Sequence, residues 1–210
     1  MSIEETPEAE TTPAAEDGSS WRLIDHTHAA GLSRGHMWLK GAVVGLEQAR
    51  RGGEMWGLWL GVLQCVQSLH HVRKCVAMSM ANVGENVKTD IERYLQVFDE
   101  EVPHLKTIRD VFEHYEDGYA LGKGNLQQPE VKPWQRTMSA ALSEEWTIIP
   151  DYADRDMTRP IVTVANKYVL DLSEAVRAAE WLLWKLWERT RLLKPTVGEG
   201  EGVRFVDGEG

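Results

Sequence analysis

Leu105-Lys106-Thr107-Ile108-Arg109-Asp110-Val111-Phe112-Glu113-His114-Tyr115, continued by Glu116-Asp117-Gly118-Tyr119, decides how this 210-residue chain is read. Leu105, Ile108, Val111, Phe112, Tyr115 and Tyr119 recur at the spacing of one helical face. Pro103 suits the first turn, and Gly118, Gly122 and Gly124 end the pattern. The stretch is an amphipathic helix, and the same periodicity repeats along the chain in both directions.

Working outward, the spacing predicts a helix over His36–Arg51, with Met37, Ala42, Val44 and Leu46 turned inward. Arg50-Arg51-Gly52-Gly53 stops it, placing cations in the last turn and glycine after it. A second helix runs from Glu54 to about Met80, apolar nearly all round in its first half, with Asn82-Val83-Gly84 as an interruption. Asn86–Asp99 is amphipathic through Val87, Ile91, Tyr94, Leu95 and Phe98. After the central helix, residues 123–160 are Pro-rich, with a short helix expected at Trp134–Ala141. Trp146–Ile149 and Ile161–Val164 are two strands joined by a hairpin loop at Asp151–Pro160. Asp171 or Ser173 caps a last helix that is expected to reach Lys194, where Pro195 ends it. The expected fold is mostly α: a bundle of four to five helices with a small β-hairpin before the last helix.

Charge divides the chain into three. Residues 1–20 carry six acids and no base, and residues 195–210 carry four acids and Arg204. These ends hold nine of the ten net negative charges, so residues 21–194 are close to neutral. The expected organisation is a disordered acidic leader (1–20), one helical domain (21–194) and a disordered acidic Gly-rich tail (195–210). Both ends are expected to be dispensable for folding. A near-neutral domain has no global basic footprint for nucleic acid, so an RNA enzyme here would depend on a local patch. Residues 1–20 lack the basic and apolar regions of a signal peptide. The most apolar run, Met55–Leu69, is interrupted by Gly57, Gly61, Gln64 and Gln67 and is too short to span a bilayer. Cys65 and Cys75 are ten residues apart, about 15 Å along a helix, too far to bridge. Buried free thiols and a cytoplasmic location are expected.

Asp110 and His114 are four residues apart and meet on one helix face. A carboxylate beside an imidazole fixes its tautomer and favours its protonated form. Arg109 lies roughly 140° round the helix from His114, within reach of the same ligand phosphate. An acid/base histidine beside a phosphate-binding arginine is the minimum equipment for cleaving RNA through its own 2′-hydroxyl. At these residues the chain resembles the HEPN superfamily, small helical bundles with an arginine, a polar residue, a short spacer and a histidine on a late helix. Arg109 and His114 match the ends of that motif and Asp110 its polar position, where Asn or His is commoner. The resemblance spans roughly residues 36–193 by helix order and six residues by motif. It implies a homodimer with two motifs facing each other across a cleft, and a metal-independent RNA endonuclease needing no cofactor. His114 would then act as general acid/base, Arg109 would hold the scissile phosphate, and Asp110 would orient His114.

Two other classes stay open. One is a non-catalytic helical dimerisation or interaction module, built on Trp181, Trp184 and Trp187 and met by an unidentified protein partner or inhibitor. Steps of three drift about 60° round a helix, so these tryptophans cannot all face one core. The other is a metal-binding bundle, using Asp110 and His114 with His26, His28, Glu113 or Asp117. An Arg109–Glu113 and Asp110–His114 pairing on a solvated surface is the plainest reading of all. His70-His71 with Arg73-Lys74 makes a small basic cluster at the end of the second helix, able to bind phosphate but by default a solvated turn.

Overall fold

The computed structural model describes residues 26–51, 55–113, 146–150, 160–164, 168–198 and 202–208. The leader, Trp21, His114 to Tyr119, the short helix expected at Trp134–Ala141 and most of the loop expected at Asp151–Pro160 lie outside the described residues. Among the described residues are five helices and five strands: α1 (Thr27–Arg51), α2 (Met55–Met78), α3 (Glu85–Glu101), α4 (Leu105–Glu113), β1 (Trp146–Pro150), β2 (Pro160–Val164), β3 (Tyr168–Asp171), α5 (Leu172–Thr190), β4 (Leu193–Gly198) and β5 (Gly202–Asp207). The architecture is the mostly helical one expected, with the antiparallel β1–β2 hairpin ahead of the last helix.

Helices α1 and α2 form an antiparallel pair that closes to backbone contact. A Cβ at Gly45 would stand 2.6 Å from the Cys65 nitrogen and 2.7 Å from the Gly61 carbonyl oxygen. One at Gly61 would stand 2.5 Å from the Ala49 nitrogen, and one at Gly41 would stand 2.7 Å from Ser68 Oγ. At the far end, Gly31 lies against Ser79 and the Cys75 carbonyl. Small residues recur along α1 because α2 leaves no room for larger ones. This also explains why α1 begins at Thr27, nine residues before the expected start at His36. Gly31 and Gly35 lower helix propensity, but both are buried, Gly31 against α2 and Gly35 against Leu183 of α5. Met37 and Val44, expected inward, face solvent instead, while Ala42 and Leu46 are buried.

The other faces of the pair meet α3, α4 and α5. Phe98, Leu69, Ile91, Ile108, Leu182, Leu183 and Leu186 are all essentially shut off from solvent. Each such side chain contributes roughly 1.5–3 kcal/mol on burial. Arg73 of α2 grips Asp99 of α3 through two hydrogen bonds of 2.6 and 2.5 Å. Strand β2 pairs with β1 (Ile148 opposite Val162) and with β3 (Val162 opposite Leu170), making a three-stranded sheet. β3 was missed in the sequence because its four residues run straight into a helix cap. Asp171 Oδ1 accepts from the Ser173 and Glu174 amides at 2.9 and 3.0 Å, as expected for an N-cap.

The C-terminal reading needs correcting. α5 stops at Thr190, four residues before Lys194, and Leu193–Gly198 pairs antiparallel with Gly202–Asp207 where a disordered tail was expected. Pro195 has no amide to continue a helix. Val197, Val203 and Phe205 supply strand residues to the pair. The hairpin is anchored, since the Phe205 amide donates to Asn82 O and the Gly84 amide donates to Phe205 O, both at 2.9 Å. The buried Phe205 ring lies 4.3 Å from His28 and 5.1 Å from His26, centroid to centroid. Arg189 bridges from α5 to Asp90 of α3 at 2.6 Å and to Asp207 of β5 at 2.9 Å.

Two outcomes are expected. Alanine normally gains about 1 kcal/mol over glycine inside a helix, but at Gly45 backbone would have to move, at a cost of about 1–3 kcal/mol. Gly45→Ala should therefore lower the urea midpoint, and a raised midpoint would show that α1 and α2 do not touch there. Deleting residues 195–210 should lower the melting temperature by roughly 4–10 °C, from the loss of about 1.5–3 kcal/mol of Phe205 burial. An unchanged melting temperature would show that the hairpin adds nothing to the core.

Candidate functional site

Helix α4 is short and strongly two-sided. His104 adopts a left-handed φ of 71° and its carbonyl accepts from the Ile108 amide at 2.8 Å, opening the helix. Leu105, Ile108 and Val111 fill the core. Arg109 follows Ile108 by about 100° of rotation, which turns it toward α2 and away from open solvent. Its side chain is only 13% exposed. The Arg109–Glu113 pair forms as the spacing predicts, but Arg109 is covered and not on a solvated surface.

Three groups hold the Arg109 guanidinium. Nη1 donates to Asp110 Oδ1 at 2.7 Å and pairs with Glu113 Oε2. Nη2 donates to His70 Nε2 at 3.0 Å. Arginine has no acceptor, so His70 Nε2 must be the bare nitrogen and Nδ1 must carry the proton. His70 is 6% exposed and lies in the body of α2, not in a solvated turn at its end. Burial, then the nearby Arg109, Lys74 and His71 charges, push its pKa down to about 4 against the opposing pull of Glu113. His71, about 100° further round α2, stacks on Trp38 of α1 with centroids 4.2 Å apart and planes 18° apart. Its pKa is lowered as well, by burial first and then by Lys74 and Arg109. Among the described residues, His70 Nδ1–H and Arg109 Nε–H are buried and meet no acceptor.

The predicted site residues divide accordingly. Arg109 and Asp110 are in direct contact, whereas His114 follows the last described residue of α4 and lies outside the described residues. Asp110, expected to orient His114, binds Arg109. His70, singled out in the sequence as part of a basic cluster with His71, Arg73 and Lys74, was not linked there to Arg109, which it meets across 39 residues. The three tryptophans part company as their drift requires. Trp181 meets Tyr94 edge-on at 6.1 Å, while Trp184 and Trp187 are 49% and 44% exposed. Lys185 Nζ lies 4.3 Å from the Trp184 ring centre, and the Arg191 guanidinium lies 4.9 Å from that of Trp187. A separate cleft of about 550 Å³ is lined by Glu101, Glu174, Arg177, Ala178 and Trp181 and does not include the arginine cluster. Cys65 and Cys75 are buried free thiols, and burial pushes Cys65 up to about 12. Among the described residues no three His, Cys, Asp or Glu side chains converge as metal ligands would. No described helix is long and apolar enough to cross a membrane.

Compared with known proteins, the chain matches no protein-family model, no curated protein and no solved structure.

The histidine pKa values set a pH dependence. A folded-state pKa near 4 lies below the ordinary value of 6.5, so between these two pH values the unfolded chain binds the extra proton. The stability tied to neutral His70 is whole above pH 6.5 and is lost as pH falls toward 4. His28, lowered by burial and then by His26, and His71 act in the same direction. Replacing His70 by Gln should flatten the fall of melting temperature between pH 6.5 and 4 relative to wild type. Equal slopes would show that His70 does not titrate in that window.

Proposed function

We propose that the chain is an HEPN-like, metal-independent endoribonuclease that works as a homodimer. The observation that supports this best is the immobilised guanidinium of Arg109, a fixed cation five residues before the acid/base candidate His114 in the sequence. A restrained arginine loses less entropy on binding phosphate than a free one.

In this reading Arg109 holds a non-bridging phosphate oxygen. His114 removes the proton of the 2′-hydroxyl, whose oxygen attacks phosphorus. The bond to the 5′-oxygen breaks, and a proton delivered by the second copy's histidine neutralises the leaving oxygen. The ends left are a 2′,3′-cyclic phosphate and a 5′-hydroxyl. The nucleophile is part of the substrate, so no metal hydroxide is called for. Asp110 and Glu113 impose a cost. They already neutralise Arg109 and repel an approaching phosphate.

A second reading is favoured by one specific observation, the exposed Trp184 and Trp187 on α5. It takes the chain as a non-catalytic interaction module docking through that helix. The two readings separate on one experiment. Under the nuclease reading the purified protein cleaves single-stranded RNA in EDTA, leaves DNA intact, and loses about 10²–10⁴-fold in rate as His114→Ala. Undiminished cleavage by His114→Ala would remove the nuclease reading of this motif. Absence of cleavage by a well-folded wild-type dimer would leave the interaction module.

A further inference from the structure

Taking Arg109 as the phosphate-holding side chain, we infer that His70 is its positioning residue: a neutral imidazole on α2 whose bare Nε2 aims the guanidinium toward the substrate. Three observations carry this. The 3.0 Å contact pairs an obligate donor with a ring nitrogen that can only accept in this arrangement. The His70 ring is almost wholly enclosed, so it cannot swing away to release the arginine. The contact joins two helices across 39 residues of sequence, so it fixes Arg109 relative to the bundle and not merely relative to its own helix.

A hydrogen inventory gives the contact its purpose. A guanidinium has five N–H groups. Asp110 and Glu113 take those of Nη1, and His70 takes one of Nη2. Two remain: the Nε–H, which is buried without an acceptor, and the second Nη2–H, which is left for a phosphate oxygen. Asp110 and Glu113 alone hold only one corner of the fork and sit on α4 itself, where they cannot set its angle to α2. His70 supplies the second point that stops the plane from rotating. The charged and titratable groups around this contact are Asp110, Arg109 and Glu113 on α4, with Lys74 and His71 on α2. A protonated His70 would put a second cation against Arg109 and break the contact, so the imidazole has to stay neutral at pH 7.

The test uses the full chain and two variants. His70→Gln places an amide oxygen near the position of Nε2, whereas His70→Leu fills the volume without an acceptor. Long-range proton–nitrogen spectra should show His70 protonated at Nδ1 and bare at Nε2 at pH 7. Exchange of the Arg109 Nε proton with water should be slow in wild type and in the Gln variant, and fast in the Leu variant. On single-stranded RNA, His70→Leu should lower kcat/KM on the order of 10–100-fold, as expected for a misplaced binding group, with His70→Gln recovering most of it. An Nε2-protonated ring, or equal Arg109 exchange in all three proteins, overturns the role of His70. Should wild type cleave no RNA while the Arg109 exchange still differs between Leu and wild type, His70 positions Arg109 and the nuclease reading is what fails.

Discussion

Everything in this molecule is hung on the backbone contact between α1 and α2. Gly45 and Ala49 on one helix and Gly61 and Cys65 on the other bring main chain against main chain, with Gly41 on the Ser68 side chain and Gly31 on Cys75 and Ser79 toward the far end. Each helical glycine gives up about 1 kcal/mol of helix propensity relative to alanine. The return is dispersion between the closely approached helices, collected from many contacts of about 0.1–0.2 kcal/mol each. Interiors packed this densely transmit displacement and do not absorb it. The crossing therefore sets not only the distance between the helices but the rotation of each about its axis.

That rotation places the candidate site. His71 lies on Trp38 of α1, and the next position back, His70, is swung about 100° toward α4. If α2 turned on its axis, His70 would leave Arg109. The guanidinium would then keep only Asp110 and Glu113, neighbours from its own helix. The apolar side of α4, through Leu105, Ile108 and Val111, secures the other partner of the contact. A pair of adjacent histidines thus reads out the α1–α2 crossing on one side and the α2–α4 seam on the other. Their lowered pKa values have a common physical origin in burial beside cations.

The helices were legible because their apolar positions repeat at helical spacing, and the capping of α5 by Asp171 was legible because a carboxylate there has local amides to accept from. What escaped depends on partners distant in sequence. The first helix was expected only from His36, and the turns before it are held by Gly31 against Ser79 and Gly35 against Leu183. Residues 195–210 read as a solvated tail because composition outweighed the alternation of Val203 and Phe205, and the burial of Phe205 is supplied by the segment around Val83. Arg109 read as exposed because a helical wheel marks it as off the stripe, yet an arginine at the edge of an apolar face is where a second helix can cover it. Nothing local in α2 announces that His70 will accept from a residue 39 positions away. The Arg109–Asp110 half of the motif was legible as a charged pair, and its third member, Glu113, follows from i,i+4 spacing.

The central claim is that the chemistry at Arg109 and His114 runs through the substrate's own hydroxyl. The most direct measurement is the identity of the ends produced from an RNA oligonucleotide with one cleavable linkage, read by mass spectrometry of both fragments. The account predicts a 2′,3′-cyclic phosphate on one fragment and a 5′-hydroxyl on the other, and no product when that single 2′-hydroxyl is replaced by hydrogen. A 3′-hydroxyl with a 5′-phosphate, or cleavage that survives loss of the 2′-hydroxyl, would require an external nucleophile and would contradict it.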